Sequence, residues 1–309
     1  MVSGDTLRRK VHGVERYILK LTDCTITKTG VVASVYMPDS ARQEFTQTLF
    51  LMSDVHFDSI YCDRKLLKRD LDTAKQEGKW IVINGDFFDA MQGKKDPRGR
   101  LDELRPELKT EKYFDALVDS AVAFLEPYHD NILMIAYGNH ETSVIRHNGT
   151  DLIQRTVGAL NNGKEHRILT GGYAGWIRFM FQTGKNTSRG RIAYNYHHGK
   201  GGSAFVSDGI MDDKRAGVYI PDADIVHFGH NHKEYVHPVA RQRLNGKGIV
   251  EHDYQLYVRS PGYKSPFSLD KDGLSWDVAG GTPTPLGSVN VGIGFVDNRP
   301  KVLGYSKTF

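Results

Sequence analysis

Cysteine is scarce in this chain: 309 residues hold two, Cys24 and Cys62, far apart and outside any C-x-x-C pattern. That scarcity argues against a disulfide framework and a thiolate zinc site, and fits two free thiols in a reducing compartment. Long apolar runs are missing as well. No stretch approaches the roughly 18 consecutive apolar residues of a membrane span, and the first residues lack the apolar core of a secretory signal. The expectation is a cytoplasmic chain with no membrane partner. There is no internal repeat, heptad or low-complexity tract, and no dominant charge. The 41 Lys and Arg against 37 Asp and Glu leave a net charge of +4, a mild bias toward anionic partners that falls short of a dedicated nucleic-acid domain.

What is present is ample apolar material, 39% of the chain, enough to bury a large core. Residues 1–46 carry short mixed segments such as Val31 to Tyr36 and are read as an N-terminal extension with short strands. Residues 47–309 are read as the main domain. Leu49 to Met52 is a short apolar run ending at Ser53-Asp54, as a buried parallel strand would. Asp63 offers an N-cap, Leu67, Leu71 and Ala74 recur at helical spacing, and Gly78 supplies a stop before Trp80 to Ile83. Strand, helix, strand is the signature of a βαβ unit. Phe114, Leu117, Val118, Ala121, Val122 and Leu125 form another helical stripe before a strand over 132–136. Thr150 to Leu160 reads as a short helix. Trp176 to Gln182 and Arg191 to Tyr196 read as strands opening a second sheet, followed by a buried strand over 223–228 and short strands beyond Val239.

Five clusters of chemistry-bearing residues close or follow these apolar runs: Asp54-Val55-His56, Gly85-Asp86-Phe87-Phe88-Asp89, Gly138-Asn139-His140-Glu141, His197-His198-Gly199 and Gly229-His230-Asn231-His232. A sheet can gather strand ends at one edge, and the gathered donors would be carboxylate, imidazole and amide. Such a set suits a pair of divalent ions that activate water, with one bridging carboxylate. Asp54 and His56, at i and i+2, would face one side of an extended segment and grip one ion, as would His230 and His232. Asp86, whose two oxygens can serve two ions, is the natural bridge. Asn139 adds a ligand without adding charge, and His140 is then placed within reach of the substrate as a general acid. Glu141 would orient His140 or cap the following turn.

In this order, D-x-H, G-D-x-x-D, G-N-H-E, H-G and G-H-x-H make the chain similar to the calcineurin-like metallophosphoesterase superfamily, over Asp54 to His232. The resemblance implies an α/β fold, a four-layer αββα sandwich of two mixed β-sheets flanked by helices, with the loops of both sheets converging on a dinuclear centre. It assigns Asp54, His56, Asp86 and His232 to one ion, and Asp86, Asn139, a central histidine and His230 to the other. The central histidine is His197 or His198, and the family habit of a ligand directly before glycine favours His198. Asp89 would orient a ligand. Two divalent ions are implied, manganese first, with Fe, Zn, Ni, Co or Mg as alternatives.

Departures from the pattern narrow the reading. Serine/threonine phosphoprotein phosphatases of this superfamily carry G-D-x-V-D-R-G and R-G-N-H-E, whose two arginines hold a phosphomonoester. Here Ala90 and Met91 follow Asp89, and Tyr137 precedes Gly138. The expected activity is therefore a phosphodiesterase acting on nucleic acid, in which a hydroxide bridging the ions attacks phosphorus in line and His140 protonates the leaving group. DNA or RNA would be held through the basic loop at 94–100, which carries Lys94, Lys95, Arg98 and Arg100. Rival readings are a small-molecule or cyclic-nucleotide phosphoesterase and, from another class, a non-catalytic scaffold of the same fold, which would normally have lost ligands. Assembly with further copies of the chain is left open. His129, His166, His227, His237 and His252 are read as ordinary surface or core histidines. Arg64, Lys65, Lys68 and Arg69 are read as a solvated helix face, and Tyr194, Tyr196, Tyr257 and Tyr263 as core or strand-face residues.

Overall fold

A computed structural model describes residues 7–11, 14–18, 24–26, 31–37, 44–90, 103–183, 187–199, 210–265, 284–296 and 299–308. The first four strands are β1 (Leu7–Val11), β2 (Val14–Ile18), β3 (Cys24–Ile26) and β4 (Val31–Met37). β5 (Glu44–Met52), α1 (Arg64–Gln76), β6 (Trp80–Asn84), α2 (Tyr113–Leu125) and β7 (Ile132–Ala136) form two consecutive parallel βαβ units. α3 (Asn139–Asn148), α4 (Leu152–Leu160) and the short β8 (Leu169–Thr170) complete this half. The second half runs through β9 (Ala174–Thr183), β10 (Thr187–His197), α5 (Ile210–Tyr219), β11 (Ile225–Phe228), β12 (Tyr235–Leu244), β13 (Val250–Arg259), β14 (Val289–Val296) and β15 (Arg299–Lys307).

Two mixed sheets result. One has the order β15-β14-β5-β6-β7-β8, the other β12-β13-β11-β10-β9-β4-β3, and β1 pairs with β2 alone. The residues read as an N-terminal extension supply β3 and β4, and β4 runs parallel to β9 from Val31 beside Ile177 to Met37 beside Thr183. They lengthen the seven-stranded sheet.

Strand periodicity divides the core. In β5, Leu49 and Leu51 face the second sheet with Val82, Ile177, Phe179, Tyr194 and Val258, whereas Phe50 and Met52 face the helices with Leu67, Leu71, Leu117 and Ile153. A strand buried on both faces reads as a continuous apolar run. Helix α1 begins where Asp63 accepts from the backbone N–H groups of Lys65 and Leu66, at 3.1 and 2.9 Å, and it buries Leu67, Asp70, Leu71 and Ala74. The outer face of the seven-stranded sheet carries a smaller cluster of Ala223, Val226, Phe228 and Tyr257, with Ile220 packed on it just after α5. α5 itself leaves Met211, Val218 and Tyr219 exposed.

Two elements depart from expectation. Beyond Val239 the chain builds a long hairpin, β12 with β13, rather than short strands; the outer half of β13 (Val250 to Tyr254) is mostly exposed and includes Glu251, His252 and Asp253, which masks its pattern. Pro238 is tolerated because β12 is the sheet's edge. The other is α3, whose N-cap is Gly138, so the third cluster lies on a helical turn.

The sheets are tied together by His227 of β11, which is fully buried. Its Nδ1 and Nε2 bond to the hydroxyls of Tyr194 (2.7 Å) and Ser260 (2.8 Å), and Ser260 donates to the Leu51 carbonyl of the other sheet at 2.9 Å. Desolvation pushes the imidazole down to about 3 from 6.5. The unfolded chain takes up this proton first, so stability present at neutral pH is lost as pH falls from about 6.5 toward 3, by up to about 1.4 kcal/mol per pH unit. Urea unfolding of His227→Gln across that range should show a shallower acid loss than the parent chain, on a lower plateau at pH 7. Parallel curves would count against His227 as a source of the acid sensitivity.

Candidate metal centre

All five clusters lie at or just beyond the C-terminal ends of β5, β6, β7, β10 and β11, the edge where ligands of open α/β sheets bind. β5, β6 and β7 are parallel to one another, as are β10 and β11, so the turns of both sheets meet at one edge.

The turns are not extended. Asp54, His56, Asp86, His230 and His232 have φ of 51°, 49°, 49°, 73° and 52°, and the sixth non-glycine residue with positive φ among the described residues is Ala90, at 47°. This left-handed region is uncommon outside glycine and tolerated best by Asn, Asp and His. Two pairs expected to share one side of an extended segment thus reach their places through left-handed turns, which bring Asp54 and His232 together across the chain. Hydrogen bonds hold the conformation: Asp54 N–H donates to the Gly85 carbonyl (3.0 Å), His56 N–H to that of Asp86 (3.1 Å), and His230 N–H to both Asp54 oxygens (3.1 and 2.9 Å).

Three groups of clustered donors emerge, Asp54 with His56 and His232, Asp86 with His198 and His230, and His56 with Asp89 and His140; in the last, His56 Nδ1 and Asp89 Oδ1 are engaged with each other at 2.8 Å, which leaves the first two as the candidate ligand groups. His198 Nε2 lies 3.0 Å from Asp86 Oδ2 and 4.0 Å from Asp54 Oδ1, joining the groups. Asn139 Oδ1 is 3.2 Å from His198 Nε2 and 2.8 Å from His230 Nδ1. His197 stays outside these groups, and its Nδ1 accepts from the Gly199 N–H at 2.8 Å. The central histidine of the cluster is therefore His198.

The donors fit divalent cations. His198 Nδ1 lies 2.8 Å from the Asn84 carbonyl and donates to it, so Nε2 is the atom facing the Asp86 and Asn139 oxygens, where it carries a proton in the imidazolium and would offer its lone pair to an ion that displaced that proton. His56 Nδ1 lies 2.8 Å from Asp89 Oδ1, and its Nε2 is buried with no hydrogen-bond partner. A buried orphan on a ring oriented by a carboxylate is what a metal ligand leaves when no ion is present. Two glycines make room: a Cβ on Gly138 would strike the Asp86 carboxylate, and one on Gly229 would lie 2.8 Å from Asp54 Oδ2. Burial raises the carboxyls of Asp54 and Asp86, yet His232 and His198 hold the first below its ordinary value, and His140 and His198 hold the second well below it. Burial draws His198 down, and Asp86 outweighs it to push the imidazole up to about 10.

His140 sits on the first turn of α3. Its N–H donates to Asp86 Oδ1 (3.0 Å), its Nδ1 to the Asp89 carbonyl (2.6 Å), and its Nε2 lies 3.7 Å from Asp86 Oδ2. Glu141 does not bond His140; its carboxylate accepts from Gly138 N–H at 2.8 Å, capping α3, and from Asp86 and Phe88 N–H at 3.1 and 2.9 Å. Sequence reasoning missed Asp58, which accepts from the N–H groups of Asp89 (2.6 Å) and Ala90 (2.9 Å), and Lys264, 3.2 Å from both Asp89 oxygens. Asp58 follows His56 at the spacing of the first motif and could have been found; Lys264 belongs to no motif. The basic residues 94–100 lie outside the described residues.

The two mixed sheets with helices flanking them have the layered α/β architecture that the sequence resemblance implied. No family model matches the chain, and no curated protein matches it in sequence. Solved structures similar to it include a conserved uncharacterized protein from Streptococcus pneumoniae described as a predicted phosphoesterase (13% identity, 85% of this chain and 98% of that one, TM-score 0.30). A metallophosphoesterase from Sphaerobacter thermophilus (9%, 85% and 89%, TM-score 0.34) and Vps29 from Chaetomium thermophilum (9%, 85% and 97%, TM-score 0.32) are also similar. Likenesses this distant leave the site to stand on its own residues.

Glu141→Ala strands three backbone N–H groups and should cost about 3 kcal/mol or more in urea unfolding of the metal-free chain. Glu141→Gln, which keeps one carbonyl oxygen, should cost less. Equal stability of all three proteins would show that the clasp is dispensable.

Proposed function

We propose that the chain is a phosphoesterase dependent on two divalent ions, and specifically a phosphodiesterase acting on nucleic acid. The observation that carries the reading is the pair of ligand groups joined through His198, with Asp86 and Asn139 beside it and the His56 Nε2 orphan within it. When bound, such ions neutralise phosphoryl oxygens and furnish a nucleophilic water near neutral pH. Asp54, His56, His232 and Asp86, His198, His230, Asn139 would hold them.

The protein's own part is orientation and proton transfer. Because the His140 Nδ1 hydrogen is spent on the Asp89 carbonyl, Nε2 is the atom left to carry a proton to the departing alkoxide. Asp86, 3.7 Å from that atom, favours the protonated ring. A diester is favoured over a monoester because the positions that hold arginines in phosphoprotein phosphatases offer no cation. Ala90 is buried, and the Tyr137 hydroxyl donates to Asp151 Oδ2 at 2.6 Å. Nucleic acid is favoured by the four cations at 94–100, which closely follow Asp86 and Asp89 in the sequence.

With manganese, the purified protein should hydrolyse a bis-aryl phosphodiester, and His140→Ala should lower kcat by about 10²–10⁴-fold. Single-stranded DNA, duplex DNA and RNA should compete better than cyclic nucleotides. Better competition by cyclic nucleotides would move the substrate to small molecules. No manganese-dependent hydrolysis of any diester would end the phosphodiesterase reading.

A further inference from the structure

We propose that Lys264 is a positioning residue of the metal centre, acting on His56 through Asp89. The inference rests on the metal-binding reading and adds a cation that none of the five clusters contains. Lys264 Nζ lies 3.2 Å from each Asp89 oxygen and 3.3 Å from Glu103 Oε2, and the side chain is only 13% exposed. Its backbone is pinned by a bridge to Cys62, by Tyr263 N–H donating to the Asp54 carbonyl at 2.9 Å, and by Ser265 N–H donating to the Tyr61 carbonyl at 2.9 Å. The ammonium therefore arrives at a fixed place.

That place matters because of what surrounds Asp89. Asp58 binds its N–H, Asp86 lies 3.7 Å from the neighbouring His140 Nε2, and Glu103 approaches from the far side of Lys264, so several buried carboxylates share one small volume. A carboxylate packed among others swings away unless a cation holds it. Lys264 grips both Asp89 oxygens while Oδ1 also accepts from His56 Nδ1 at 2.8 Å, so Asp89 remains an acceptor and the His56 ring keeps its hydrogen on Nδ1. Nε2, buried with no hydrogen-bond partner, is then left with the lone pair that His56 offers to the group it forms with Asp54 and His232. Through this chain of contacts a lysine that touches no ligand atom of either ion sets the tautomer and angle of one ligand.

The effect should be confined to the ion held by Asp54, His56 and His232. Titration of the metal-free protein with manganese, followed by calorimetry, should show two ions per chain in the parent. Lys264→Met should weaken one of them about 10–100-fold and leave the other within about twofold, the range typical of lost outer partners of metal ligands. Lys264→Arg should restore most of the loss. Glu103→Gln, which removes the other carboxylate from Lys264 and spares Asp89, should leave both affinities unchanged. In an Asp89→Asn background, Lys264→Met should add no further loss. If Lys264→Met does not fold by circular dichroism, Lys264→Gln is held to the same expectation. Unchanged affinities in the lysine variant, equal loss at both ions, or a Glu103→Gln effect matching that of Lys264→Met would overturn the proposal. A parent chain that takes up no divalent ion would overturn the metal centre itself, a result distinct from two-ion binding that ignores Lys264.

Discussion

Everything at the site depends on the burial of three carboxylates, Asp54, Asp86 and Asp89, at the edge where the two sheets' turns meet. A carboxylate kept from water must be balanced by hydrogen bonds and positive charge. Backbone N–H groups of His230 and His140 supply part of this, the imidazoles of His198 and His56 another part, and Lys264 the rest on the side away from the crevice. What remains is a cluster of carboxylate, imidazole and amide donors of the kind that could hold metal ions. The sheets, with their matched parallel strands, are the frame that forces those charges together.

Much of this was legible in the sequence because burial and chemistry leave marks at short range. The runs Leu49 to Met52 and Trp80 to Ile83, the Asp63 cap and the stripe from Phe114 to Leu125 fall within β5, β6, α1 and α2. The site residues Asp54, His56, Asp86, Asn139, His230 and His232 are brought to one crevice, and Asp89 and His140 border it. His198 takes the central place that the sequence left between two neighbours, because its N–H bonds the Tyr173 carbonyl and its ring bonds the Asn84 carbonyl, which turns the ring inward.

What the sequence hid is long-range or conformational. Lys264 meets Asp89 across 175 positions, and no local pattern marks a lysine whose partners are that distant. The partition of Glu141 between capping and orienting could not be read from its place three residues after Gly138, since both roles need the same spacing. The long β12–β13 hairpin was obscured because half of it faces water, where alternation carries no information. Nor does periodicity reveal a left-handed turn, whose residues look the same in sequence as those of a strand.

Those left-handed turns act as a filter on the donor alphabet. Five candidate ligand positions sit where the backbone accepts Asn, Asp, His or Gly more readily than other residues. Of the residues admitted, the three with side-chain donors offer hard carboxylate or amide oxygen and borderline imidazole nitrogen, and none offers soft sulfur. A mutation toward thiolate at these positions would meet a steric objection before any chemical one. The choice of oxygen and nitrogen donors at this edge is thus written into the φ angles of the chain as much as into its side chains.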